Sequence, residues 1–149
     1  MACNEPLASD LFRLFLRMQR LMNRRMAEQG ASLARTKLLL FLHKRGPARA
    51  ADIADFFDNA PRTVTEAIDG LERDGLVART PDAHDRRVKQ VSITDEGRRV
   101  LGETEPLRQD LIDAVFGALD ADERAQLSST LAKLLTALDG LDGGDTRTR

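Results

Sequence analysis

The chain has 149 residues and a mass of 16.5 kDa, with 23 Lys plus Arg against 24 Asp plus Glu and 42% hydrophobic residues. That is an ordinary globular composition, long enough to bury a core without disulfides or metals, and it excludes collagen-like and fully disordered classes. The longest unbroken apolar run, Leu38-Leu39-Leu40-Phe41-Leu42, falls far short of the ~18 residues of a membrane span.

The start, MACNEPLASD, has no basic stretch followed by an apolar one, so a cytosolic (cytoplasmic) protein with no membrane association is expected. One cysteine, Cys3, and two histidines, His43 and His84, leave almost nothing for a disulfide or a zinc site. No metal and no cofactor is expected. Charge is unevenly placed along the chain. Leu11 to Arg49 carries ten basic residues against a single acid, Glu28, for a segment charge of +9, whereas Val100 to Arg149 carries ten acids against five bases. The near-neutral total is compatible with a basic face for a polyanion, and equally with solvated helix faces.

In chain order, Leu7, Leu11, Leu14, Phe15, Met18, Leu21 and Met22 recur at spacings of three and four, with Arg13, Arg17, Arg20 and Arg24 on another face. This predicts an amphipathic first helix ending before Gly30. Ser32 is an N-cap for a second helix through Lys44, closed by Arg45-Gly46-Pro47, which combines a terminal cation, a glycine and a proline stop. A short third helix spans Ala50 to Phe57. After the turn Asp58-Asn59-Ala60-Pro61, a fourth runs to about Asp74 with Gly75 beyond it. Two helices joined by a few residues suggest a helix-turn-helix.

Two β-prone runs follow, Leu76-Val77-Ala78-Arg79 and Lys89-Gln90-Val91-Ser92-Ile93, separated by the polar stretch Thr80 to Val88. They predict a hairpin with a long tip. Thr94 caps a fifth helix with Gly102 and Pro106 as expected kink points. Asp120-Ala121-Asp122-Glu123 is a variant capping box opening a last helix with Leu127, Leu131, Leu134, Leu135, Leu138 and Leu141. Residues 142–149 are expected to fray. The fold class is thus mainly α with a small β-hairpin, with no linker long enough to divide the chain.

The run Thr63-Val64-Thr65 … Leu71-Glu72-Arg73-Asp74-Gly75-Leu76-Val77, followed by Asp85-Arg86-Arg87 … Ser92-Ile93-Thr94-Asp95-Glu96-Gly97, resembles the recognition-helix and wing signatures of the MarR family of bacterial transcription regulators. The resemblance covers roughly residues 7 to 141. It implies a winged helix-turn-helix, residues 32–97, in a homodimer whose helical regions 7–30 and 98–141 interlock. It further implies a repressor that binds a pseudo-palindromic operator in double-stranded DNA until a small molecule or oxidant releases it. Dimer contacts would fall on the apolar stripes of these helices: Leu7, Leu11, Leu111, Val115, Leu127, Leu131, Leu134 and Leu138.

The residues fit a DNA-reading role on chemical grounds. At 100° per residue, Val64, Ala67, Ile68 and Leu71 form an inward stripe, while Arg62, Thr65, Glu66, Asp69 and Arg73 point outward. Arg62 can contact guanine bidentately, Thr63 and Thr65 can reach phosphate or a thymine methyl, and Glu66 can accept from a cytosine amino group. A surface pair between Arg62 and Glu66 is the plainer alternative. The outward acids Asp69, Glu72 and Asp74 limit groove entry to the first turn and a half. In the hairpin tip, His84, Asp85, Arg86 and Arg87 suit phosphates and a minor groove, with Asp85 placed to hold Arg87.

The resemblance also implies an effector site between the dimerisation helices and the winged part. Its candidate residues here are Phe12, Phe15, Arg17, Met18, Leu39, Phe41 and His43, most of them equally readable as core, and the basic segment favours an anionic aromatic effector. A thiol-based redox sensor is an alternative. Members that sense peroxide hold a thiolate with tyrosine hydroxyls, however, and this chain has one cysteine and no tyrosine. A helical protein-interaction adaptor on the same fold is another. No nucleophile elbow, Gly-rich phosphate loop or HExxH is present, so no enzyme is expected.

Overall fold

The computed structural model describes residues 3–143. Helix α1, Glu5–Glu28, is amphipathic as the spacing requires, but of its residues only Met22 and Met26 are buried. Ser32 caps α2, Leu33–Arg45, by accepting the Arg35 amide at 3.3 Å, and Gly46 closes it at φ +81°. The buried Thr36 hydroxyl donates to the Ser32 carbonyl at 2.8 Å, which removes the cost of hiding it.

Strand β1, Ala48–Arg49, leads into α3, Ala50–Phe57, which ends at Asp58 in the left-handed region, φ 51°. Helix α4, Pro61–Arg73, follows. The hairpin forms as β2, Val77–Pro81, and β3, Lys89–Ile93, in antiparallel register from Val77 opposite Ile93 to Pro81 opposite Lys89. The sheet has a third strand: β1 pairs antiparallel with β3, giving the order β1-β3-β2. Two residues beside Pro47 carry no alternation, so β1 exists only through its partner and leaves no local signature.

Helix α5, Asp95–Phe116, is one element with Pro106 inside it, undivided at Gly102 or Pro106. Its start is fixed by Thr94, whose hydroxyl donates to the Gly75 carbonyl at 2.7 Å and accepts the Gly97 amide at 3.0 Å. Gly97 is required there. A Cβ on it would overlap the Leu76 carbonyl oxygen and lie 2.8 Å from Ile93 Cγ1. Helix α6, Ala121–Asp142, opens with the expected capping box, Asp120 accepting the Glu123 amide at 2.8 Å and Glu123 the Asp120 amide at 3.1 Å. Asp142 is the last helical residue; of the tail expected to fray, residues 144–149 lie outside the described residues.

The chain divides into two compact units at Gln109 and Asp110, inside α5. In the first unit, Leu38, Leu39, Phe41 and Leu42 of α2 pack with Ile53, Val64, Ile68, Leu71, Val77 and Val91 in one core. Each such side chain contributes about 1.5–3 kcal/mol by leaving water. Val100 and Leu101 join this core, which is why the beginning of α5 belongs with the winged part instead of separating from it at residue 98. In the second unit no residue of α6 is buried, although Leu134, Leu135, Leu138 and Leu141 are large and apolar.

Candidate nucleic-acid interface

Helix α4 is anchored by Val64, Ile68 and Leu71, all buried, and these fix which face looks outward. One assignment of the 100° pattern changes: Ala67 is exposed and Gly70 is buried in its place. Gly70 lies beneath two guanidinium groups, where a Cβ would stand 3.4 Å from Arg35 and 3.5 Å from Arg73. Ala67 instead lines a small hollow of about 140 Å³ together with Thr63 and Val64.

Arg62, Thr63, Thr65 and Glu66 stand exposed along the first turns of α4. The Arg62 guanidinium is 90% exposed and donates to Glu66 at 3.0 Å. The Thr65 hydroxyl donates back to the Pro61 carbonyl at 3.0 Å, which leaves its methyl and lone pairs for an outside partner. The acids further along the helix are not bare. Arg79 of β2 reaches Asp69 at 2.5 Å and Glu72 at 3.0 Å, and Arg35 of α2 reaches Asp74 at 2.7 Å. The acid-imposed limit on groove entry read from the sequence treats these carboxylates as unpaired, and they are paired from outside the helix.

The hairpin tip is organised by a residue the sequence reading did not single out. Asp82 is 2% exposed and accepts five hydrogen bonds. One carboxylate oxygen takes the His84 and Asp85 amides at 2.8 and 3.3 Å, closing an Asx-type turn. The other takes Arg49 Nε and Nη2 at 3.2 and 3.1 Å and Gln90 Nε2 at 3.0 Å. These donors hold its pKa at about 2, the His84 amide foremost, with Arg49, the Asp85 amide and Gln90 adding to it against the opposing effect of burial. The signal was present in the sequence: Asp directly after Pro81 at a loop start is a turn-forming residue.

His84, Asp85, Arg86 and Arg87 all lie exposed on this fixed tip. Asp85 does hold Arg87, but by its backbone: the Arg87 amide donates to Asp85 at 3.1 Å, while the guanidinium stays 3.8 Å away and 96% exposed. The tip thus presents two arginines on a turn whose backbone is already pinned. That lowers the entropy lost when such side chains dock.

The residues named for an effector site are spread out. Phe12, Phe15, Arg17 and His43 are exposed, Met18 is half-buried and Leu39 is fully buried in the core. A cavity of about 300 Å³ forms on the other side of α2 and takes only Phe41 from that set. Phe41, Phe56 and Phe57 supply its apolar wall with ring centroids 4.7 to 5.7 Å apart, and Lys37, Lys44, Arg45 and Arg108 supply its charge. Arg45 lies 4.3 Å over Phe56. Burial, then repulsion from Arg108, lowers the Lys37 pKa. Cys3 is exposed ahead of α1.

The MarR family model matches residues 32–89, the stretch from the Ser32 cap to the first residue of β3. The chain is 33% identical over 126 residues, 85% of its length and 81% of the relative's, to the HTH-type transcriptional repressor MdtR of Bacillus subtilis (strain 168). The chain belongs to the MarR family. Among solved structures, a mutant MarR from E. coli complexed with operator DNA superposes at a TM-score of 0.78 with 26% identity, covering 89% of this chain and 96% of that one. BldR from Sulfolobus solfataricus gives 0.79 with 26% identity, covering 90% and 96%. The protein is therefore a MarR-type winged-helix transcriptional regulator and not an enzyme. Among the described residues, no helix is long and apolar enough to cross a membrane.

Proposed function

We propose that this MarR-family protein is a homodimeric repressor that docks the exposed face of α4 into the major groove and the hairpin tip into the flanking minor groove of an inverted-repeat operator. The observation that carries this reading is the pairing, in one unit, of an exposed Arg62–Glu66 helix face with a pinned tip offering Arg86 and Arg87. The first is the chemistry of base edges, the second that of a narrow groove. Its relative MdtR is named a repressor, which favours repression over activation.

Dimerisation is supported by unsatisfied apolar surface. Leu7, Leu11, Phe12, Phe15 and Leu16 on α1 and Leu134, Leu138 and Leu141 on α6 are exposed. Leu111, Val115, Leu127 and Leu131 are only half-buried. Surfaces of this kind are normally covered by a partner, and a second copy does so with closed symmetry. Two recognition helices then read one face of B-DNA when about 34–36 Å apart, with half-sites one helical turn apart.

Release by a small effector is the further part of the reading. The phenylalanine and cation lining of the 300 Å³ cavity beside α2 suits an anionic aromatic compound, and the lining includes Phe56 and Phe57, the last residues of α3 before the turn into α4. Footprinting on the DNA upstream of the protein's own gene tests the whole reading. Two protected half-sites on one face of the duplex are expected; no protection anywhere in that region, with no shift of the duplex, would reject it.

A further inference from the structure

The register of the hairpin places an arginine where the pattern calls for a hydrophobic residue. Residues directly opposite in an antiparallel pair share a face, and Arg79 lies opposite Val91, which is 1% exposed. Val77, two residues earlier on the same face, is also buried. The Arg79 stem therefore starts on the core side of the sheet, its side chain is only 19% exposed, and its guanidinium emerges between the wing and α4. There it meets Asp69 and Glu72, one turn apart on the recognition helix.

Without that contact, two carboxylates would face the phosphates flanking the groove. Charges of one sign repel over the distance of a groove wall even in water, and salt screens this only beyond about 8 Å. From the opposite direction, the same contact ties the helix that reads bases to the strand that carries the tip.

We propose that Arg79 is a positioning residue for DNA docking, masking the charge of Asp69 and Glu72 from the phosphates that flank the groove. This rests on the reading that α4 docks on DNA. With both acids paired, the limit that bare carboxylates would set on groove entry is relaxed.

The test compares wild type, Arg79→Ala, Asp69→Asn/Glu72→Gln, and the triple variant combining all three, on a duplex of about 30 base pairs from upstream of the gene. Helical circular dichroism and thermal melts establish that each is folded. Arg79→Ala is expected to weaken binding about tenfold, since two anions are uncovered. The triple variant should recover to within about threefold of wild type, because no carboxylates remain to be masked. The Asp69→Asn/Glu72→Gln variant should bind at least as tightly as wild type and covers the case in which Arg79→Ala does not fold; weaker binding by it overturns the proposal.

Wild-type affinity in Arg79→Ala, or a triple variant as weak as Arg79→Ala, also overturns it, the latter by making Arg79 a direct phosphate contact. Arg62→Ala separates the two readings. If wild type binds and Arg62→Ala weakens it while the Arg79 series does not behave as stated, the masking role alone fails. If wild type binds no duplex, both readings fail together.

Discussion

Arg49 and Asp82, 33 residues apart, are joined by two hydrogen bonds, Nε and Nη2 each reaching the same carboxylate oxygen at 3.2 and 3.1 Å. The contact links β1, the strand leading into α3, to the first residue of the wing tip. It adds to the β1–β3 pairing a direct side-chain connection between the entry of α3 and the loop that carries Arg86 and Arg87.

Loss of this hub should loosen the tip without unfolding the domain. Asp82→Ala is expected to reduce amide protection at His84 and Asp85, which donate to the carboxylate, and to weaken DNA binding across many sequences. The pH dependence has a definite sign. The folded-state pKa is about 2, below the ordinary 3.8, so the tip's stabilisation is complete above about pH 4 and fades as pH falls towards 2. Amide exchange at the tip followed by NMR from pH 7 downward checks this; loss of protection between pH 7 and 5 would contradict it.

Arg62 and Arg87 should fail in different ways. Arg62→Ala is expected to cost about 1–3 kcal/mol at the preferred operator and to relax preference at one position per half-site. Arg87→Ala should weaken binding uniformly and reduce the salt slope by about one unit per protomer. A salt titration in which wild type and Arg87→Ala coincide would remove the tip from the interface.

The core substitutions carry the fold assignment. Ile68→Ala empties a fully buried site behind the recognition face and should cost about 2–5 kcal/mol. Gly97→Ala drives a methyl into the Leu76 carbonyl and should cost about 1–3 kcal/mol. Chemical denaturation measures both, and a Gly97→Ala protein as stable as wild type would show that α5 starts differently.

The apolar face of α6 should hold two copies together. Leu134→Asp or Leu138→Asp, both at exposed positions in one chain, is expected to leave helicity intact and shift sedimentation from a dimer towards a 16.5 kDa species. Wild-type protein sedimenting as a folded monomer at micromolar concentration would defeat the dimer reading.

The cavity beside α2 should bind aromatic anions through Lys37. With 2-naphthoate as probe, calorimetry is expected to show binding that Lys37→Gln weakens. Because burial and Arg108 lower the Lys37 pKa, affinity should begin to fall at a pH below the ordinary lysine value as the ammonium is lost. By linkage, bound naphthoate and operator DNA should weaken each other by one factor. Equal naphthoate affinity for wild type and Lys37→Gln would place the site elsewhere.

What the sequence by itself determined is local. Ser32, Gly46, Thr94 and the Asp120–Glu123 box punctuate helices through bonds spanning a few residues, Pro61 does so through its fixed φ, and the motifs around Thr63 and Asp85 mark the recognition helix and wing before any packing is known. Such signals are legible because capping and periodicity depend on neighbours three and four positions away. Tertiary structure decided the rest. Strand β1 is formed by its pairing with β3, Gly70 takes the buried place expected for Ala67, covered by the long side chains of Arg35 and Arg73, and the cavity forms around Phe41, Phe56 and Phe57 instead of the α1 aromatics. Asp69 and Glu72 stay exposed but are paired, and Asp82 is buried and paired, through arginines ten, seven and 33 residues away. A long side chain's partner is set by where the packed backbone delivers it, and no local pattern records that distance.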